Sequence, residues 1–224
     1  MNSPLLKTLQ VETAPNPTFA VIWMHGLGAD GHDFEPIVRE LDLAGCPPIR
    51  FIFPFAPTMP VTINNGAVMP AWYDIVSTDL IRREDEAGLR VSQTAIEQLI
   101  NQQEKLGIDA AHIVLAGFSQ GCAMTLQTGL RYPKKLAGML CLSGYLPLHA
   151  TIATERHEAN QHTPIFMAHG TADPVVPLHR AEQSRDALAA LDYQVQWQPY
   201  PMQHSVCVEE INDIGRWFRS ILAR

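Results

Sequence analysis

The stretch "HIVLAGFSQGCAMTLQTGLRY", residues 112–132, decides the fold class. Its first half is a continuous apolar run typical of a buried strand, and its second half is predicted to form a helix that ends before Pro133. The glycines of Gly117-x-Ser119-x-Gly121 allow the sharp, strained turn that would expose a serine hydroxyl between a strand and a helix. Ser119 is therefore a candidate nucleophile, and the alternative is that it only caps the helix.

Apolar runs of this kind recur on both sides of the stretch and alternate with helical patterns. The predicted strands are 19–25, 49–53, 112–118, 138–143, 164–170 and 193–200, and the predicted helices are 33–41, about 84–106, 120–131, 177–191 and 206–222. This alternation predicts an α/β fold in which a mostly parallel central sheet has helices on both faces. Ligands of such sheets bind at the carboxyl ends of the strands.

The whole chain, residues 1–224, is predicted to form one domain. Residues 54–75 hold four prolines and an Asn-Asn-Gly turn signal, so they are predicted to form a long loop without regular elements. The segment between 143 and 163 is too short to form a cap domain. No internal repeat is present.

Composition excludes several classes of partner. The 16 basic and 23 acidic residues give a net charge of −7, which argues against binding to nucleic acid or anionic lipid. The four cysteines have no C-x-x-C or metal-type spacing, so reduced thiols and no metal are expected. The N-terminus resembles no signal peptide and no apolar stretch has the length of a membrane span, which predicts a cytoplasmic protein.

A serine nucleophile needs a histidine base and an orienting carboxylate, which follow it in the order Ser, Asp, His in this kind of fold. Asp173 comes directly after the predicted strand 164–170, although it could also form only an Asx turn. Two histidines follow it. His179 falls in the first turn of a helix and is expected on a solvated face, whereas His204 lies in the loop before the last helix. We therefore expect His204 to be the base, the alternative being a surface histidine.

Two backbone N–H groups would have to stabilise the developing oxyanion. One belongs to Gln120, which follows the serine at a helix N-terminus. The glycine-rich loop "HGLGADG", residues 25–31, is expected to provide the other from Leu27. The same loop could instead cradle a phosphate, but the spacing of a phosphate-binding motif is missing.

The motifs "HGLGADGHDF", "TINNGAVMPAWYDI", "GFSQGCAM", "LSGYLP", "HGTADPVVP" and "YPMQHSV" together resemble the phospholipase/carboxylesterase family of small α/β-hydrolases. The resemblance runs from about Val21 to the C-terminus. It implies an α/β-hydrolase fold in which Ser119, Asp173 and His204 are the catalytic residues and Leu27 and Gln120 form the oxyanion hole.

The resemblance further implies that Trp72 helps to line an apolar acyl site, although Trp72 could equally anchor a long loop to the core. Two positions depart from the family pattern, in which glycine is frequent: Cys122, which could narrow the packing behind the serine, and Gln203.

The expected function is that of a cofactor-independent serine hydrolase for carboxylic esters or thioesters, first of all a broad-specificity carboxylesterase. An acyl-protein thioesterase or a lysophospholipase is the alternative within this chemistry, and an acyltransferase would share the acyl-enzyme. A binding protein that keeps the triad with negligible turnover is the alternative from another class. The expected substrate is a small ester or an acylated molecule, and family members often form dimers, so a homodimer is also expected.

Overall fold

The computed structural model of the protein describes residues 5–77 and 84–222. Seven strands form one sheet in the order β1-β3-β2-β6-β7-β8-β9, and β4 and β5 form a separate antiparallel pair. The strands are β1 Thr8–Glu12, β2 Phe19–Met24, β3 Ile49–Pro54, β4 Thr58–Val61, β5 Ala67–Pro70, β6 Ile113–Phe118, β7 Gly138–Leu142, β8 Ile165–Gly170 and β9 Val195–Tyr200. The α-helices are α1 Glu86–Lys105, α2 Gln120–Gly129, α3 Ile152–Glu155, α4 Leu178–Ala189 and α5 Val208–Leu222.

Six of the seven strands in the large sheet run parallel, and only β1 pairs antiparallel with its neighbour β3. The chain crosses from one parallel strand to the next through helices, as βαβ units require. The mostly parallel sheet with helices on both faces confirms the α/β prediction.

Both faces of the sheet are buried, which explains why the strands are continuously apolar. In β2, Ala20, Ile22 and Met24 pack in a cluster with α1 and α2, whereas the alternate residues Phe19, Val21 and Trp23 pack in a cluster with α5. A strand covered on both sides needs apolar residues at every position. The apolar runs are therefore a direct consequence of the layered architecture.

Three predictions about elements differ from the structure. The edge strand β1 was not predicted, because it is half exposed and has no continuous apolar run. The predicted helix 33–41 is only a short 3-10 helix, Glu35–Arg39, with a proline in its first turn.

The third difference concerns residues 54–75, for which the prediction of a loop without regular elements was wrong. These residues contain β4, the 3-10 helix Thr62–Asn64 and β5. A turn with left-handed backbone at Asn65 (φ 54°) and Gly66 (φ 76°) joins the two strands. The prolines are compatible with this short ribbon because it has only two strands, and both strands are edges.

Residues 143–163 form only the one-turn helix α3 and the 3-10 helix Glu158–Asn160, so within residues 5–77 and 84–222 no inserted domain covers the carboxyl ends of the strands. Within the two described ranges, every helix is too short or too polar to span a bilayer.

Candidate active site

Ser119 lies at the tight turn between β6 and α2. Its backbone has φ 56° and ψ −116°, and its N–H donates to the carbonyl of Leu142 at the end of β7 (2.9 Å). Positive φ is strained for any residue with a Cβ. Ser119 occupies the N-cap position of α2, but its side chain makes no capping hydrogen bond. The hydroxyl is therefore available for another partner.

The two motif glycines are required because the backbone passes too close for side chains. A Cβ on Gly117 would collide with the backbone of Gly121, and a Cβ on Gly121 would collide with the carbonyl groups of Met24 and His25. The close approach explains why both positions are glycine.

Ser119, His204 and Asp173 are joined in series by hydrogen bonds. His204 Nδ1 lies 2.6 Å from Asp173 Oδ2, and His204 Nε2 lies 2.9 Å from Ser119 Oγ. A carboxylate oxygen only accepts, so the proton of a neutral His204 is on Nδ1 and Nε2 accepts from the serine hydroxyl. The ring of His204 also packs on Phe118, with 4.8 Å between ring centroids. The structure thus brings together the three residues that the sequence predicted.

Asp173 also forms the Asx turn that was its alternative interpretation. Its Oδ1 accepts from the N–H groups of Val175 (2.8 Å) and Val176 (2.9 Å), while Oδ2 faces His204. The two interpretations use different oxygens of one carboxylate. His179, the other histidine considered, is an exposed residue of the cleft wall and does not bond to Ser119.

Leu27 and Gln120 lie in the wall of the same cleft as Ser119. Gln120 is the first residue of α2, where a backbone N–H has no partner within the helix and the helix dipole favours negative charge. Gly28, next to Leu27, has φ 77° and donates to Pro70 of β5 (2.9 Å), which fixes this loop against the β4–β5 ribbon. Both proposed donors are thus on backbone that is held in place.

Trp72 does not lie in the cleft wall, where the resemblance had placed it. It is fully buried, and its Nε1 donates to the carbonyl of His25 at 2.9 Å. Its neighbours Tyr73 and Ile75 line the cleft instead. Trp72 therefore anchors the long loop beneath the glycine-rich loop, which is the alternative that the sequence left open.

Two buried side chains that the sequence did not single out support this arrangement. Gln120 accepts from the N–H of Trp72 (2.9 Å) and donates to the carbonyl of Tyr73 (2.7 Å), so it clamps the long loop to the start of α2. His25 Nε2 accepts from Ala56 N (3.1 Å), and its Nδ1 lies 2.7 Å from the carbonyl of Gly26. Burial lowers the pKa of His25, which favours a neutral ring that donates through Nδ1. No local pattern signals the bonds to Trp72, Tyr73 and Ala56, because each joins residues more than 30 positions apart in the chain.

His169 is a further histidine that the sequence did not single out. It is fully buried at the end of β8, its Nε2 bonds to the carbonyl of Val176 (2.8 Å), and the same atom lies 3.5 Å from Asp173 Oδ2. Burial lowers its pKa, so the ring is held neutral. Its spacing of four residues before Asp173 is the signal that could have identified it.

Cys122 fills the space behind the turn. It is buried, it packs against Gly144, where a Cβ would overlap its sulfur, and its thiol is adjacent to that of Cys141. The other departure, Gln203, is exposed, and its backbone carbonyl passes over Gly170. Neither departure disturbs the geometry of the triad.

The cleft beside Ser119 has a volume of about 700 Å³. Its walls are mostly apolar and include Ile63, Ile75, Val175 and Val176. Within the described ranges, no cluster of three or more His, Cys, Asp and Glu side chains is arranged to hold a metal ion.

An open α/β sheet that presents a strained serine bonded to histidine and aspartate beside an apolar cleft defines the class of α/β-fold serine hydrolases. The chain belongs to the phospholipase/carboxylesterase family, whose family model matches residues 8–222.

Related proteins agree with this assignment. The chain is similar to acyl-protein thioesterase 1 of Neurospora crassa, at 43% identity over 220 residues that cover 92% of this chain and 88% of that protein. It is also similar to the Gibberella zeae protein of the same name, at 39% identity covering 99% of this chain and 98% of that protein.

Solved structures show the same architecture. Arabidopsis thaliana SOBER1 superposes with a TM-score of 0.86 at 31% identity, covering 91% of this chain and 99% of that one. Zea mays acyl-protein thioesterase 2 gives a TM-score of 0.81 at 26% identity, covering 96% of this chain and 99% of that one. The protein is therefore a serine hydrolase of the carboxylic ester hydrolase class, as the sequence predicted.

Proposed function

We propose that Ser119 is the nucleophile, His204 the general base and Asp173 the orienting carboxylate of a broad-specificity carboxylesterase. The observation that carries this proposal is the position of His204, which bridges Asp173 Oδ2 at 2.6 Å and Ser119 Oγ at 2.9 Å. Both distances are those of hydrogen bonds through which a proton can pass.

The proposed reaction follows from this geometry. His204 Nε2 accepts the hydroxyl proton of Ser119 as Oγ attacks the acyl carbonyl. The oxyanion that forms accepts hydrogen bonds from the N–H groups of Leu27 and Gln120, and each such donor typically contributes about 3 kcal/mol to the stability of the transition state. His204 then gives its proton to the leaving alcohol or thiol. Water repeats the sequence on the acyl-enzyme, so the scheme needs no cofactor.

The cleft supports an acyl group as the bound part of the substrate. Ile63, Ile75 and Val176 offer apolar surface next to Ser119, and burying each methylene of an alkyl chain contributes about 0.8 kcal/mol. In the part of the chain that the structure describes, no inserted domain closes over the serine. This openness supports tolerance of many alcohols.

An acyl-protein thioesterase is the second candidate, because the relatives with 43% and 39% identity carry that name. The rim of the cleft supports it further, since Ile63 and Val175 line the cleft and are 39% and 61% exposed. Exposed apolar side chains at a cleft mark sites that contact other molecules. Such a rim suits an acyl chain borne on a protein cysteine or on a lysophospholipid.

The proposal is tested with Ser119→Ala and p-nitrophenyl butanoate. We expect the variant to lose activity by about 10⁴-fold or more and to lose labelling by a fluorophosphonate, with the fold retained. Wild-type protein that neither hydrolyses the ester nor labels at Ser119 would support a ligand-binding protein instead. Comparing an acylated cysteine peptide with the matched oxygen ester separates the thioesterase from the carboxylesterase.

We also propose that the protein works in the cytoplasm and forms a homodimer. The four cysteines are free thiols, which agrees with a reducing compartment. Fractionation of cells and sedimentation of the purified protein test the two statements.

A further inference from the structure

A second cavity of about 400 Å³ adjoins the cleft at Ser119. The two spaces share three wall residues, Tyr145, Arg180 and Gln183. Arg180 and Gln183 are three positions apart on α4, so their side chains are neighbours on one face of that helix. These three side chains therefore form the partition between the cleft and the second cavity.

The surfaces on both sides of the partition are suited to alkyl groups. The cleft has Ile63, Ile75 and Val176 on its side, and the second cavity has Leu146, Ala150 and Ala187. An alkyl chain that passed the partition would find apolar surface beyond it. Glu84, His149 and Asp186 also line the second cavity, but most of its wall is apolar, and the partition lies between this wall and the cleft.

Arg180 is the charged member of this partition and is held there by its backbone. Its N–H donates to the carbonyl of Pro177 (2.9 Å), and its own carbonyl accepts from Ser184 Oγ (2.8 Å). The side chain is half-buried. Burial raises the pKa of Tyr145, in the partition, and of Glu84, in the wall of the second cavity, and the nearby positive charge of Arg180 opposes both shifts. The guanidinium thus faces the junction of the two spaces.

An arginine side chain stays charged at every relevant pH and keeps its hydration where it can. A methylene that enters an apolar wall improves binding by roughly fourfold, whereas a methylene that must displace water from a guanidinium gains little or nothing. We propose that Arg180 is a specificity-determining residue that ends the acyl-binding part of the cleft, so that the enzyme prefers acyl chains that fit between Ser119 and Arg180. This inference rests on the proposed function, because it assumes that the cleft binds the acyl group.

The test uses Arg180→Met, which removes the charge and keeps an unbranched side chain, with p-nitrophenyl esters from butanoate to hexadecanoate. For the wild type, kcat/KM should rise with chain length and then stop rising or fall. For Arg180→Met we expect the rise to continue, so that the dodecanoate-to-butanoate ratio of kcat/KM increases by at least about tenfold, the gain from roughly two further buried methylenes. Arg180→Lys keeps the charge and should keep the wild-type limit.

Arg185→Met is the matched control on the same helix. Arg185 lies over the ring of Trp197 and pairs with Asp186, and it lines neither cavity. Its removal should leave the chain-length profile unchanged. Circular dichroism of each variant shows whether it is folded, and Arg180→Gln replaces Arg180→Met if the latter does not fold.

Folded Arg180→Met or Arg180→Gln could hydrolyse the butanoate ester normally and show an unchanged chain-length profile. This result would overturn the role of Arg180 in ending the acyl-binding part of the cleft, and it would leave the proposed function intact. Faster wild-type hydrolysis of esters with a terminal carboxylate on the acyl chain than of neutral esters of equal length, lost in Arg180→Met, would also overturn this role, because Arg180 would then attract an anion. Absence of ester hydrolysis in the wild type would contradict the proposed function itself.

Discussion

Asp173 and Glu155 are two carboxylates of one chain that are held in opposite ways. The side chain of Asp173 is fully buried and accepts from two backbone amides and from His204. Across residues 5–77 and 84–222, no lysine or arginine lies within ion-pair distance of it. Glu155 is 31% exposed and is bound by Arg90 at 2.6 Å and Arg131 at 2.7 Å.

The difference separates a carboxylate that can support chemistry from one that supports structure. The guanidinium of Arg90, followed by that of Arg131, lowers the pKa of Glu155 to about 2. Glu155 therefore stays ionised, and its negative charge is balanced by two fixed cations. Its bonds tie α3 to α1 and to the chain after α2. The charge of Asp173 is left without a fixed cation, so it is available to stabilise the imidazolium that His204 would become.

The largest expected effect comes from Asp173→Asn. The amide keeps the oxygen that accepts from Val175 and Val176, but its NH₂ group faces His204 Nδ1 and favours the wrong tautomer. We expect kcat on p-nitrophenyl butanoate to fall by about 10⁴-fold with little change in thermal stability. A loss below tenfold would remove Asp173 from the proposed triad.

Glu155→Gln should have the reverse effect of Asp173→Asn, lowering stability and leaving activity unchanged. It leaves Arg131, whose side chain is only 4% exposed, without its carboxylate, and we expect a loss of about 3 kcal/mol in the free energy of unfolding with unchanged kcat. Because the folded-state pKa of Glu155 is lowered from 4.5 to about 2, its contribution is present above about pH 4.5 and is lost as the pH falls through about 2. Urea unfolding at neutral and acidic pH measures both the loss in the free energy of unfolding and its dependence on pH. Equal stability of variant and wild type at neutral pH would show that the network contributes nothing.

Glu210 sharpens the comparison, because it is a buried carboxylate that has, within the described residues, no cation and little backbone support. Burial raises its pKa from 4.5 to about 8, and the backbone N–H of Cys207, which makes no close hydrogen bond to it, opposes this shift only weakly. The folded state therefore keeps a proton that the unfolded state has lost, so stability falls as the pH rises from about 4.5 to about 8.

We expect Glu210→Gln to stabilise the protein by about 3 kcal/mol more at pH 9 than at pH 6, since the wild type loses about 1.4 kcal/mol for each pH unit up to its folded-state pKa. Thermal unfolding at the two pH values measures this gain. Glu209→Gln, at the exposed neighbouring position, is the control. The same gain for Glu210→Gln at both pH values would contradict the raised pKa.

The smallest effect is expected at His169, which acts on Asp173 only by positioning. His169→Phe removes the donor to the carbonyl of Val176, and we expect kcat to fall by about tenfold with KM unchanged. His169→Gln keeps a donor and should recover part of the rate. Equal rates for the two variants would assign His169 a packing role alone.

Local patterns in the sequence were sufficient for most of the fold. Strands covered on both faces are apolar at every position, so β2, β6 and β8 were recognisable without any knowledge of their neighbours. The half-exposed β1 and the proline-rich β4 and β5 were missed, because edge strands need no such run and their pairing partners are not written in the local sequence.

The candidate site divides in the same way. Chain order and the loop positions after buried strands pointed to Ser119, Asp173 and His204, because the carboxyl ends of parallel strands meet at one edge of the sheet. The burial of Trp72 and its hydrogen bond to Gln120, 48 positions away, could not be read from the sequence. Whether a side chain is buried, or bonds to a residue far away in the chain, depends on how the helices pack on the sheet.

The sequence by itself determined the kinds of element, their order and the residue types that can carry out acyl transfer, because each is encoded within a few neighbouring positions. Only the tertiary structure decided that His204 reaches Ser119 across 85 positions and Asp173 across 31, and which side chains line the cleft. Those distances follow from strand order and sheet twist, which arise from packing of the whole chain.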